Sequence, residues 1–319
     1  MESLRWRALR AFAAWEYGWL VPASARWPLP LGRAASRARG WLHARLDSDW
    51  RTVSLRQHFL AVRLADAYAQ ISAATAHSES PRRLTRQRFM TAAREEWEAA
   101  LTMRDRLGAL RVSFDNIDRL LERRSDGRGL VILTAHFDST LLGVSCLGRF
   151  GVPLHLATSR VVLDPLVPAA VQHFFTAKYE AMQRHFNGGR YAHVETHLKS
   201  LYAALRRGEW VVILGDGPGV NGQGLPIPFL GGTRLFAPGP VRIAQRAGSD
   251  MVAMVGLFKG GSDYRVVLSD VEKAAALAGP HAAERLYGFL EHHIRTAPGR
   301  WWAAEQLPAF PIAEQAHAF

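Results

Sequence analysis

"VILTAHFDSTLLG" (residues 131–143) opens as a continuous apolar run, reaches His136, carries an acid two positions later and then passes into helix formers. A short apolar run bounded by turn residues reads as a strand buried on both faces. His136 then stands at the carboxyl end of a central strand, the place where ligand sites of open α/β sheets form. A helix starting just beyond it would aim its free N–H groups and positive end at the same spot. A neutral imidazole so placed can take a proton from an alcohol while those N–H groups steady an oxyanion, which makes His136 the candidate catalytic base. Asp138 has two readings at this stage: a partner that orients the ring, or the N-cap of the following helix.

The same alternation extends in both directions. Helical periodicity covers 54–76, where Leu55, Phe59, Val62, Leu64 and Tyr68 share a face, and 86–107; the polar "HSESPRR" (77–83) reads as a break. From residue 110, short apolar runs alternate with helical segments: 110–114, 129–135, 152–158, 209–216, 250–259 and 263–270 as strands. Helices are expected over 115–124, from 139 through 147, and over 165–185, 193–208, 238–246 and 281–296. Strands alternating with helices of this length imply an α/β fold with a mainly parallel central sheet flanked by helices.

The chain has 319 residues and a net charge of +12, carried almost wholly by arginine. Such an excess attracts anionic surfaces: nucleic acid, anionic lipid or an acidic carrier protein. With no zinc-finger spacing, RNA-recognition aromatic motif or long basic run, no nucleic-acid partner is expected. The single cysteine, Cys146, fits a reducing compartment and a small buried hydrophobe. Six of the ten tryptophans lie in the first fifty residues, interleaved with arginines. That mixture suits a bilayer headgroup layer. The apolar run 11–21 is too short to span and is interrupted by Glu16, so an interfacial helix is expected rather than a crossing one. The competing readings of this stretch are a cleaved signal peptide and a soluble helix that packs its tryptophans inward. The organisation expected is 1–52 as an amphipathic membrane-facing segment and 53–319 as the α/β domain with its own N-terminal helical portion.

Two further blocks carry a family signal. In "ALRRGEWVVILGDGPGVNGQGLPIPFLGG" (204–232), a helix ends at Arg207-Gly208-Glu209, a strand leads to Asp216, and a glycine-rich segment with Gly222 and Gly224 closes on Pro228-Phe229. "FAPGPVRIAQRAGSDMVAMVGLFK" (236–259) adds a helix with Arg246 and Gly248 before the next strand. Taken in order with His136, these blocks resemble the late lipid A acyltransferase branch of the lysophospholipid acyltransferase superfamily, from about residue 110 to 270. The resemblance implies transfer of a fatty acyl chain from acyl carrier protein or coenzyme A to a hydroxyl of a membrane glycolipid, at the cytoplasmic face of the inner membrane. The tryptophans and arginines of the first fifty residues would hold the protein there as a peripheral or monotopic one, the basic charge makes an anionic membrane surface an expected partner, and no cofactor is expected. The resemblance also implies that His136 is the base of a His-acid dyad.

The family's acid falls five residues after its histidine, and here that position is Leu141. Leucine cannot hold a tautomer, so Asp138 is the nearest substitute and Asp216 the next acid to test; failing both, the site would be inactive. Asp216, Gly222, Gly224 and Phe229 are carried over as substrate-binding positions, with Arg160 as a phosphate or carrier-arm contact. Gly217, Gly219, Gly222 and Gly224 lack the Lys-Ser/Thr of a phosphate loop. His193 and His197 have metal-ligand spacing with no third ligand, so no metal is expected. "GVSCLG" (143–148) is not a nucleophile elbow. In "RWWAAEQLP" (300–308), Ala-Ala-Glu stands where the family has a basic cluster. Together with Leu141, this points to an acceptor other than ordinary lipid A, such as the sugar at a lipid terminus. The rival from another class is a non-catalytic lipid- or glycolipid-binding protein on the same fold.

Overall fold

In the computed structural model, which describes residues 4–55, 60–75, 78–122, 126–219, 223–310 and 312, the apolar runs become strands of one large sheet. The chain begins with helices α1 (Leu4–Trp15), α2 (Val21–Ser24), α3 (Leu29–Leu46), α4 (Trp50–Leu55), α5 (Leu60–Thr75) and α6 (Pro81–Met103), with a π-helical turn, Glu16–Leu20, between the first two. Then follow β1 (Arg111–Asp115), α7 (Ile117–Glu122), β2 (Leu130–Asp138), α8 (Thr140–Leu147), β3 (Leu154–Thr158), α9 (Ala169–Gln183), β4 (Tyr191–His193), α10 (Val194–Arg206) and β5 (Trp210–Leu214). A hairpin of β6 (Leu225–Phe229) and β7 (Gly232–Phe236), α11 (Gly239–Ala247), β8 (Asp250–Gly260), β9 (Asp263–Leu268) and α12 (Pro280–Thr296) complete the order.

The sheet runs β1-β9-β8-β2-β5-β3-β4, with β2 at its centre. Strands β8, β2, β5, β3 and β4 are mutually parallel, while β9 pairs antiparallel to β8 and carries β1 with it. The expected mainly parallel α/β sheet is therefore present. Val131 and Leu133 of β2 point into a layer formed by α5, α10, α11 and α12; Ile132 points the other way, onto α7, α8 and the end of α9. Burial on both faces is why the strand reads as an unbroken apolar run.

Two local readings change. The break between the two helical stretches does fall between α5 and α6, but it ends earlier than expected: Pro81 is already the first residue of α6, where its missing N–H costs nothing. The hairpin β6–β7 was not expected, since Pro226 and Pro228 argue against a strand; a two-stranded ribbon tolerates them, and Leu230-Gly231 turn at φ 49° and 81°, the left-handed pair a tight hairpin needs. Phe59, part of the periodicity assigned to the α5 region, lies outside the described residues.

The N-terminal helices pack onto the body. Glu16 accepts from Arg39 Nε at 3.0 Å and lies 2.8 Å from His43 Nε2, while Arg39 also pairs with Glu96 of α6. Tyr17 donates to Glu96 at 2.7 Å. The acid that interrupts the apolar run is thus a buried partner rather than a solvated break. On the outer side Trp15 and Trp19 stack at 5.9 Å, 48% and 57% exposed. Among the described residues no helix is long and apolar enough to cross a membrane.

Candidate active site

Register builds the site. Strands β2 and β5 pair in parallel from Leu130 against Trp210 to Thr134 against Leu214. His136 and Asp216 each lie two positions beyond the last pair, so the period-two pleat turns both side chains to the same side. His136 Nδ1 lies 2.8 Å from Asp216 Oδ1, and the His136 backbone N–H donates to Oδ2 at 2.8 Å. Gly215 permits the approach: a Cβ there would stand 2.2 Å from Leu133 Cδ1. Beyond Thr134 the pairing of β2 with β8 shifts register, which lifts His136 out of the regular ladder.

Asp216 is 3% exposed, and burial alone would push its carboxyl up. The His136 charge, the two His136 hydrogen bonds and a bond donated by Trp301 Nε1 at 2.8 Å outweigh that, so the group is held below the usual carboxylate range. With Nδ1 donating to the carboxylate, His136 keeps Nε2 as its acceptor. Trp302 meets the imidazole edge to face at 4.6 Å, and its backbone N–H donates to the His136 carbonyl at 2.9 Å.

His136, Leu141 and Trp302 form part of the wall of a cavity of about 900 Å³. Leu156, Val162, Phe175 and Ile213 make it largely apolar. The polar part of the wall includes Lys178 and Glu95, which form a buried ion pair, together with Arg51, Glu96 and Glu305. At its exposed rim stand Arg63, Arg242 and Arg246, with Val161 and Leu166 beside them. Leu141, standing where the family's acid would be, is 6% exposed and serves as apolar wall.

Asp138 takes neither of its expected roles. Its carboxylate is wholly buried and is held by Arg94, by Arg300 at 2.8 Å and by the Phe258 N–H at 3.1 Å, not by the His136 ring. The N-cap of α8 is Ser139, and no side chain caps it; Asp138 adopts φ 48°, a left-handed turn that Asp tolerates. Asp216, carried over as a substrate-binding position, instead stands behind His136 and is not part of the cavity wall.

Arg160 is exposed, between the rim residues Ser159 and Val161, and its backbone N–H donates to Glu195 at 3.2 Å. Phe229 is buried outside the cavity wall, its ring edge against Trp301 at 6.1 Å. Gly224 packs under the hairpin, where a Cβ would lie 2.7 Å from Leu235 Cβ; Gly222 lies outside the described residues. His193 bonds Thr158 at 3.0 Å and His197 bonds Thr196 at 2.8 Å, and among the described residues no three candidate ligands gather for a metal. Cys146 is buried, and burial pushes its thiol up to about 11, which keeps it an unreactive small hydrophobe.

Sequence reasoning missed Trp301 and Trp302 as members of the site. The "RWW" run was visible, but it lies 85 residues from Asp216, and only the folded chain joins them.

Residues 74–306 match the sequence model of the family described as bacterial lipid A biosynthesis acyltransferase. Among curated proteins nothing matches. Among solved structures the chain is similar to the crystal structure of the 1-acyl-sn-glycerophosphate (LPA) acyltransferase PlsC from Thermotoga maritima, at 11% identity and a TM-score of 0.37, covering 77% of this chain and 98% of that one.

Proposed function

The chain belongs to the bacterial lipid A biosynthesis acyltransferase family, and from that premise we propose that it moves a fatty acyl chain from a thioester donor to a hydroxyl of a glycolipid or lipid-terminus sugar, with His136 as base and Asp216 as the acid that orients it. The observation carrying this reading is the 2.8 Å contact of Asp216, from behind, with Nδ1 of His136, whose ring stands in the wall of a largely apolar cavity. The acceptor hydroxyl gives its proton to His136 Nε2 as its oxygen attacks the thioester carbonyl. The tetrahedral centre then collapses, the C–S bond breaks, and the leaving sulfur takes the proton back from Nε2. Asp216 keeps Nδ1 protonated and offsets the transient imidazolium charge. The first N–H groups of α8, at the same end of β2, steady the oxyanion.

The rim arginines, with the net charge of +12, favour an acidic acyl carrier protein over coenzyme A as the donor. Exposed Trp15, Trp19 and Trp41, with Leu31, suit peripheral attachment to the cytoplasmic leaflet of the inner membrane. The lipid-binding alternative rests on Leu141; the contact of Asp216 with the ring favours the enzyme instead.

The test is to incubate the protein with labelled acyl carrier protein and anionic vesicles made from bacterial lipid extract, then sediment the vesicles. Label appearing in a glycolipid, lost in His136→Ala, with the protein in the pellet, supports the reading. Transfer that survives in His136→Ala overturns the base assignment. Lipid binding without transfer in either protein overturns the enzyme, and protein left in the supernatant overturns the membrane attachment.

A further inference from the structure

The segment Arg300–Trp302 touches the site at three consecutive residues, each on a different group. Arg300 donates to Asp138 at 2.8 Å and to the Phe258 carbonyl at 3.2 Å. Trp301, wholly buried, donates its indole N–H to Asp216 Oδ2 at 2.8 Å and bridges the backbone of Phe137. Trp302 donates its backbone N–H to the His136 carbonyl and lays its ring against the imidazole.

We infer that Arg300–Trp302 is a clamp that positions the dyad, with Trp301 as the positioning residue for Asp216. An indole is a donor only, on a rigid arm, so it cannot compete for the Nδ1 proton. Its N–H occupies Oδ2, the oxygen that also takes the His136 backbone N–H, and leaves Oδ1 facing Nδ1. The carboxylate is thereby fixed in rotation, and a fixed carboxylate fixes the tautomer and tilt of the imidazole. The clamp also gives buried Asp138 a purpose: it anchors the first residue of the segment, at the end of the strand that carries His136.

This inference rests on the acyltransferase reading only for its rate measurement. The test is Trp301→Phe, which keeps a ring and removes the N–H. In protein carrying 13C-labelled aspartate carboxylates, Asp216 then titrates at higher pH than in the parent. The acid limb of the rate–pH profile moves the same way, and kcat falls roughly 10- to 100-fold with KM unchanged. Should that variant not fold, Arg300→Met takes its place: it cuts the link to Asp138, and the expected result is a lower kcat at unchanged KM with faster amide exchange at Trp302. An unmoved Asp216 titration in a folded Trp301→Phe protein overturns the clamp, as does an unchanged kcat in folded Arg300→Met. The titration needs no substrate, so a parent that transfers no acyl chain, yet shows the Asp216 shift in Trp301→Phe, refutes the enzyme and upholds the clamp.

Discussion

Asp138 and Asp216 carry the same functional group, and their surroundings give them different work. Asp216 sits one pleat away from the last β2–β5 pair and faces an imidazole; Asp138 sits in a left-handed turn between two guanidinium groups. Leu141 completes the contrast. An acid there would hang on the first turn of α8, in the apolar wall of the cavity, with the ring already held from its other side. Leu141→Asp is therefore expected to cost on the order of 3 kcal/mol through an unpaired buried carboxyl, seen as a lower Tm, and to reduce transfer. A rise in kcat would mean instead that His136 lacks an adequate partner. The pairing with Asp216 was half legible: both residues read as strand ends, but nothing local shows that β2 and β5, some 80 residues apart in the chain, lie side by side.

At the level of elements, what could be read followed burial. β2, β3 and β5 are covered on both faces and announce themselves as apolar runs, and α10 and α12 show clear helical faces. β4 did not, because a three-residue edge strand has no period to display. β6 and β7 did not either: their stability comes from pairing with each other and from Phe229 and Phe236 packing edge to face at 4.9 Å. The segment after α12 has no regular pattern, yet it supplies Trp301 and Trp302. Short irregular stretches carry half of this site because contacts made there are long-range, and sequence periodicity is silent about them.

Across the whole molecule, polar groups buried between layers tie the helical front to the sheet. Glu98 of α6 accepts from Ser139 at 2.9 Å and from Tyr264 at 3.1 Å, and pairs with Arg94 at 3.2 Å. Burial is the main influence on Glu98; Arg94 opposes it, the Asp138 charge adds to it, and the carboxyl is pushed up to about 7. A raised acid contributes stability that is complete below its unfolded value of 4.5 and is lost as pH climbs through about 7. Glu98→Gln removes that dependence. Its Tm relative to the parent is expected to be more favourable at pH 8 than at pH 5; an offset that stays constant between the two would contradict the assignment. The same interlayer packing holds the N-terminal helices through Glu16, Arg39 and Glu96, while their outer tryptophans stay exposed.

The pairing of His136 with Asp216 is tested most directly by the single-turnover rate of Asp216→Asn against the parent, with saturating acyl donor and lipid acceptor. An amide can no longer offset the imidazolium or enforce the tautomer, so the rate is expected to fall by about 10³–10⁴ with the fold retained. A folded Asp216→Asn protein that transfers at close to the parent rate would contradict the dyad.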